Sequence, residues 1–232
     1  MNLRVKYGKT DQGKFISHLD LIRAWERTFR RARTPISYSQ GFNPHPKVSF
    51  GSALAVGLTS TGEYMDIVLK SNFPIQEIKG ELAKYLPAGL IVYDIKEIDP
   101  KATPLMAVIN RAKYLVGINL FQDVNQQELD NILNDLLQQE KIIILRNTKK
   151  GLRERDIRAG IFELEAKVID KNKVELVMVV ETGSGGNVRP EEVVEALKEK
   201  GLSIESETIN IHREGLYISS DTGLNTPLSV TV

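Results

Sequence analysis

Two hydrophobic periodicities alternate along this chain, and the order of their alternation limits the fold more than any other feature. Leu3, Val5 and Tyr7 alternate with Arg4 and Lys6, the period-two pattern of a half-buried strand. Leu21, Ile22, Trp25, Phe29 and Ala32 then recur at helical spacing to about Arg33. Ser17 is placed to cap that helix, with Asp20 three residues on as its partner in a capping box. Thr34-Pro35 ends it, because the residue before proline is pushed out of the α region. Residues 47–56 and 63–70 read as strands joined by a longer hairpin connection at 58–62. Pro74 opens a helix to about Tyr85, and residues 89–97 read as a strand. The order β-α-β-β-α-β is that of a ferredoxin-like unit.

The order nearly repeats. Residues 113–121 read as a strand, 125–139 as a helix, 141–146, 160–169 and 173–181 as strands, 189–201 as a helix and 203–218 as a returning strand. Residues 141–146 (KIIILR) either add one strand to a ferredoxin-like unit or pair with 160–169 as a hairpin. The expected fold is α+β, two tandem ferredoxin-like (βαββαβ) sandwiches, the second with an extra strand. The expected boundaries are residues 1–98 for the first domain, 99–112 for a linker, 113–220 for the second domain and 221–232 for a loosely ordered tail.

Composition removes whole classes of chemistry. There is no cysteine, so disulfides, thiolate metal sites, iron–sulfur ligation and cysteine nucleophiles are excluded. His18, His45 and His212 are the three histidines, and no two stand at helical ligand spacing, so no metal is expected. No apolar run reaches the roughly 18 residues of a membrane span, and the first ten residues lack the apolar core of a signal peptide. The expectation is a cytoplasmic protein with no membrane partner.

The charges sum to +1, but they are not evenly spread. Residues 15–50 carry six basic side chains against two acidic ones, and so do residues 146–158. Such separation points to an anionic partner. Arg23, Arg27, Arg30 and Arg31 fall on one stripe of the first helix, away from the stripe of Leu21, Trp25 and Phe29. Such a stripe is either a solvated face, with Glu26 relieving Arg30, or an anion-binding one. In the second segment Lys149, Lys150, Arg153 and Arg158 surround a turn signal, a phosphate-binding combination of point charge and planar fork. The glycine-rich Gly183–Asn187 run before a helix reads either as a plain turn or as a backbone cradle for an anion.

The basic helix runs into YSQGFNPHPK, residues 38–47. Pro44 and Pro46 fix the backbone around His45, and Gly41 permits positive φ. Tyr38, Phe42, Asn43, His45 and Lys47 are therefore expected on a stiff loop. Aromatic faces for unpaired bases, amides for base edges and cations for phosphates suit RNA. The competing reading makes Tyr38 and Phe42 core residues and the prolines a plain turn. His18 and His45 are the weak catalytic candidates, as a general acid–base pair.

Residues 15–57, with Ser17-His18-Leu19-Asp20, Arg30-Arg31-Ala32 and Tyr38 through Gly51, resemble the radical-SAM-linked bacterial family, a domain found alone or fused behind a radical SAM enzyme. Residues 148–158 (TKKGLRERDIR) match it again. The resemblance implies a partner that carries an iron–sulfur cluster and S-adenosylmethionine, while this chain itself holds no cofactor. The duplicated order also resembles CRISPR-associated RNA-processing endonucleases, although here the glycine-rich loop precedes the last helix. The functional expectation is an RNA-binding accessory protein, not itself an enzyme, that presents RNA to a radical SAM partner for modification. The alternatives are a protein-interaction scaffold for that enzyme without nucleic acid, a metal-independent RNA-processing endonuclease, or a binder of a phosphorylated small molecule.

Overall fold

The computed structural model describes residues 1–148, 151–221 and 223–229. The first elements are β1 (Asn2–Lys9), α1 (His18–Arg31), β2 (Val48–Phe50), β3 (Thr59–Val68), α2 (Ile75–Tyr85), β4 (Leu90–Ile98) and the one-turn helix α3 (Leu105–Val108). Then come β5 (Arg111–Asn119), α4 (Gln126–Leu137), β6 (Ile143–Thr148), β7 (Gly151–Asp156), β8 (Ile161–Asp170), β9 (Lys173–Glu181), α5 (Pro190–Glu199), β10 (Asn210–Ser220) and β11 (Gly223–Asn225). The described residues thus form a mixed α/β structure of mostly antiparallel sheet with five α-helices. They divide into two units, Met1–Asn110 with Arg213–Val232, and Arg111–His212.

In the first unit the strand neighbours run β4-β1-β3, with β2 also on β3 and β10 beside it. Antiparallel register places Leu3, Val5 and Tyr7 opposite Ile67, Met65 and Glu63. Paired residues share a face, and this face packs on α1 and α2 through Leu21, Trp25, Phe29, Ile78 and Leu82. Trp25 is core, as its place on the apolar stripe implies. It stacks on Phe29 with ring centroids 5.6 Å apart and meets Tyr7 edge-on at 5.4 Å. The opposite face carries Arg4 across from Asp66.

The second unit runs β5-β9-β8. Ala112, Tyr114, Val116 and Ile118 pair with Val180, Met178, Leu176 and Val174 to make its buried face. Leu129, Leu133 and Leu136 of α4 and Val193, Val194 and Leu197 of α5 are buried as well. Asn125 caps α4 in a reciprocal box with Glu128.

Several expectations change. The strand foreseen at 47–56 shrinks to β2, because residues 51–58 leave the ladder. The connection foreseen at 58–62 instead begins β3. Ser60, which looks like a turn residue, pairs with Lys9 across the ladder. Its hydroxyl donates to Glu63 Oε1 at 2.7 Å and lies 2.9 Å from the Arg213 carbonyl. Residues 141–146 neither extend a sheet nor pair with 160–169. Instead β6 pairs with β7 as a separate two-stranded hairpin. The expected linker contains α3, whose Leu105 is fully buried. In the final stretch, expected to be loose, the described residues make ordered contacts. There β11 pairs with β10, Pro227 accepts from Arg4 Nη1 at 3.0 Å, and Leu228 accepts from Lys96 Nζ at 3.0 Å.

Candidate nucleic-acid interface

The candidate interface begins at α1. Ser17 Oγ accepts from the Asp20 N–H at 3.2 Å and donates to Asp20 Oδ2 at 2.7 Å, which fixes the helix start. Fourteen residues at about 1.5 Å each carry the helix roughly 20 Å, so the basic residues at its two ends serve different places. Arg23 pairs with Asp20 at 3.4 Å. Arg27, Arg30 and Arg31 are exposed and form no ion pair among the described residues, and Glu26 does not pair with Arg30. The last turn closes with the Thr34 N–H on the Phe29 carbonyl at 3.0 Å and the Arg33 N–H on the Arg30 carbonyl at 3.3 Å. Arg33 stands in the left-handed region at φ 51°.

From there the chain forms a small closed hairpin. Ile36 bridges Leu69, and the Ser37 N–H donates to the Val68 carbonyl at 2.7 Å, which anchors the base to the end of β3. Tyr38 bridges Pro46. The Ser39 N–H donates to the His45 carbonyl at 2.8 Å, the His45 N–H to Ser39 Oγ at 3.0 Å and the Lys47 N–H to the Ser37 carbonyl at 2.8 Å. Gly41 turns the tip at φ 133°, a conformation that favours glycine. Phe42 is 105% exposed, and Asn43, His45 and Lys47 are exposed beside it. Tyr38 is partly covered, with Lys70 Nζ 5.7 Å from its ring centroid. The core reading fails for Phe42, since no described side chain covers it.

No ring contact joins His18 to His45 among the described residues. His18 meets Phe50 edge-on at 5.6 Å, whereas His45 lies beyond Pro46 and Lys47, before β2. No hydrogen bond joins the two among the described residues.

The second basic segment belongs to the other unit. Lys149 and Lys150 lie outside the described residues. Arg153 is exposed on β7, opposite Arg146 in the ladder. Arg158 is engaged in the fold: Nε donates to the Leu137 carbonyl at the end of α4 at 2.9 Å, and Nη1 to the Ile161 carbonyl at 3.3 Å. Arg146 grips Glu192 through Nε at 2.6 Å and Nη2 at 2.5 Å. The Gly183–Asn187 run already faces an anion of this chain. A Cβ at Gly186 would fall 2.1 Å from Glu181 Oε2, so an external anion there would meet a carboxylate.

Sequence reasoning missed a buried polar cluster in the first unit. Arg213 is 1% exposed and holds Glu63 through both Nε, at 2.7 Å, and Nη2. Its remaining donors reach the carbonyls of Ser52 at 2.8 Å and Ala53 at 3.5 Å, which fasten the 51–58 loop. Lys9 lies beside it, 3% exposed, with Nζ 3.3 Å from the Ile16 carbonyl. Burial lowers the Lys9 pKa, with Glu63 opposing and Arg213 adding to the shift. Burial also raises the Tyr7 phenol well above its ordinary value, and Glu63 pushes it further. The one usable signal was Glu63 at an inward position of a strand, four residues before the apolar Ile67.

A family model described as "Uncharacterized protein conserved in bacteria (DUF2344)" matches residues 2–190. The chain belongs to that family. The DUF2344 match takes in α1, the 37–47 hairpin and both basic segments, and it ends before Arg213. The family description names no radical SAM enzyme. The comparison with curated proteins gives no match. Similar solved chains come from "Crystal Structure of a Cbf5-Nop10-Gar1 Complex" (TM-score 0.48, 12% identity, 94% of this chain and 51% of that one) and "Structure of H/ACA RNP bound to a substrate RNA containing 2'-deoxyuridine" (TM-score 0.44, 12% identity, 90% and 46%). This chain spans about half the length of either (51% and 46%), and likeness at these scores carries nothing about function. No described helix is long and apolar enough to cross a membrane. Among the described residues no group of three or more His, Cys, Asp or Glu is placed to hold a metal ion.

Proposed function

We propose that this DUF2344 protein binds RNA through the C-terminal half of α1 and the Ser37–Lys47 hairpin, and that it presents the RNA to a radical SAM enzyme. One observation carries the reading. Arg27, Arg30, Arg31 and Arg33 are exposed without ion pairs among the described residues, at the root of a self-braced loop that holds Phe42 in solvent. Like charges one turn apart repel, and a phosphate backbone turns that repulsion into attraction by counterion release. Asn43, His45 and Lys47 add donors beside the tip. The second unit, taken by itself, would offer phosphate contacts of its own through Arg153 and, on the sequence alone, Lys149 and Lys150, and Arg158 would add charge while locking the end of α4. The radical SAM half of the proposal rests on the resemblance of residues 15–57 and 148–158.

The same reading takes each unit as ferredoxin-like. Element order β1-α1-β2-β3-α2-β4 with neighbours β4-β1-β3-β2 supports it for the first. Order β5-α4-β8-β9-α5, with the β6–β7 hairpin inserted, supports it for the second.

The test is a salt series on RNA binding. Log affinity should fall linearly with log salt, and Arg30→Ala should shallow the slope by about one. An affinity flat in salt would end the proposal. A second reading, a protein scaffold, is favoured by the exposed Ile143, Leu145 and Leu152 of the β6–β7 hairpin. Co-purification with the enzyme that survives nuclease, without an RNA shift, would select it.

A further inference from the structure

Two residues, one at the root of the hairpin and one at its tip, are poor choices for stability. A helix that ends with the chain in the left-handed region places glycine there, or asparagine, because a Cβ crowds the following carbonyl. This chain places Arg33 at φ 51°, exposed and without an ion pair among the described residues. No contact among the described residues engages its side chain, and the Thr34–Phe29 bond holds the backbone in that conformation. The second is Phe42, 105% exposed beside Gly41 on a tip braced by the Ser39–His45 bonds. Backbone strain clusters at functional sites, and a ring held fully in solvent on a braced tip is a platform on which a base can stack.

The two side chains specify different halves of one chemical unit. A planar guanidinium forks onto a phosphate, and an aromatic face stacks on a base. In a duplex the bases are already stacked and paired, so the face of Phe42 finds nothing to cover. We infer that the hairpin reads unpaired nucleotides, with Phe42 at the tip stacking on a base and Arg33 at the root anchoring a phosphate elsewhere on the same strand. The substrate class is then single-stranded RNA or an unpaired segment of a folded RNA. This deepens the RNA-binding proposal and rests on it. A membrane surface fits less well, since a single phenylalanine between polar neighbours gives too little apolar area for stable anchoring.

The experiment is fluorescence anisotropy on the full chain with a labelled RNA of about 12 nucleotides, free and annealed to its complement, beside thermal melts of each variant. Wild type should prefer the single strand by about tenfold or more. Phe42→Ala should lower single-strand affinity by about 5- to 150-fold and leave duplex affinity unchanged. Arg33→Gly should lower it by about tenfold while raising Tm by roughly 2–4 °C, opposite signs that a purely structural residue does not give. Equal affinity for both probes with a silent Phe42→Ala overturns this inference while a steep salt slope keeps RNA binding. Failure of both probes sinks both. Capture on phosphatidylserine vesicles, lost in Phe42→Ala and without RNA binding, also overturns it.

Discussion

Arg213 and Arg31 carry the same guanidinium and meet opposite fates. Arg213 is 1% exposed, and each of its nitrogens contacts Glu63 or a carbonyl of the 51–58 loop. Arg4 repeats the pattern on the other face of the sheet, with Asp66 at 2.7 and 2.9 Å and the Pro227 carbonyl at 3.0 Å. Arg27, Arg30, Arg31 and Arg33 hold no carboxylate among the described residues. A charge taken out of water survives only with partners, so the buried arginines arrive with carboxylates on the strands beside them. On α1 only Arg23 has such a partner among the described residues, Asp20 one turn earlier. The contrast teaches that net charge along the sequence does not separate a buried ion pair from an exposed cation, whereas the folded structure does.

The sharpest way to break that contrast is at Glu63. Glu63→Ala strands the Arg213 charge in the core and should destabilise the protein by about 3–5 kcal/mol, read as a fall in urea midpoint. RNA affinity per folded molecule should hold. Glu63→Met combined with Arg213→Met removes both charges and should recover much of the loss. A cost under about 1 kcal/mol for Glu63→Ala would place Arg213 with the surface arginines.

The helix side comes next in size. Arg30→Ala with Arg31→Ala should leave stability within about 0.5 kcal/mol and shallow the salt dependence of RNA affinity by about two in the log–log slope. A fall in urea midpoint that matches the fall in affinity would mean these arginines support the fold after all.

The sequence disclosed the helix side far better than the buried side, for a physical reason. Apolar periodicity located β1 and α1, placed Trp25 in the core and set the α1 arginines outside. It could not see that Arg4, at an outward position of β1, is covered by residues more than 220 positions later in the chain. Thr59-Ser60-Thr61-Gly62 has turn chemistry, yet the ladder with Lys9 holds it extended. Residues 151–156 (GLRERD) lack any apolar alternation and become β7 only through pairing with β6. Local pattern records what a segment prefers, and these segments are decided by partners distant in sequence.

Lys9 stands between the two classes and gives the finest test. It is a cation at 3% exposure whose hydrogen bond goes to a carbonyl, Ile16, and not to a carboxylate. Burial lowers its pKa below the ordinary 10.5, Glu63 opposing and Arg213 reinforcing. The folded state therefore disfavours the proton. Below the lowered pKa both states hold it and the penalty is constant. Between that pKa and 10.5 the unfolded chain binds more protons, so stability rises with pH. Tyr7 acts in the opposite sense above 10.0, because its raised pKa keeps the phenol protonated in the folded state while the unfolded chain ionises. The clean window therefore runs from the lowered Lys9 pKa up to the point where the Tyr7 phenol of the unfolded chain begins to ionise. There the stability of wild type relative to Lys9→Met should climb with pH. A relative stability that stays level across the window would show that Glu63 holds the Lys9 charge as firmly as it holds that of Arg213.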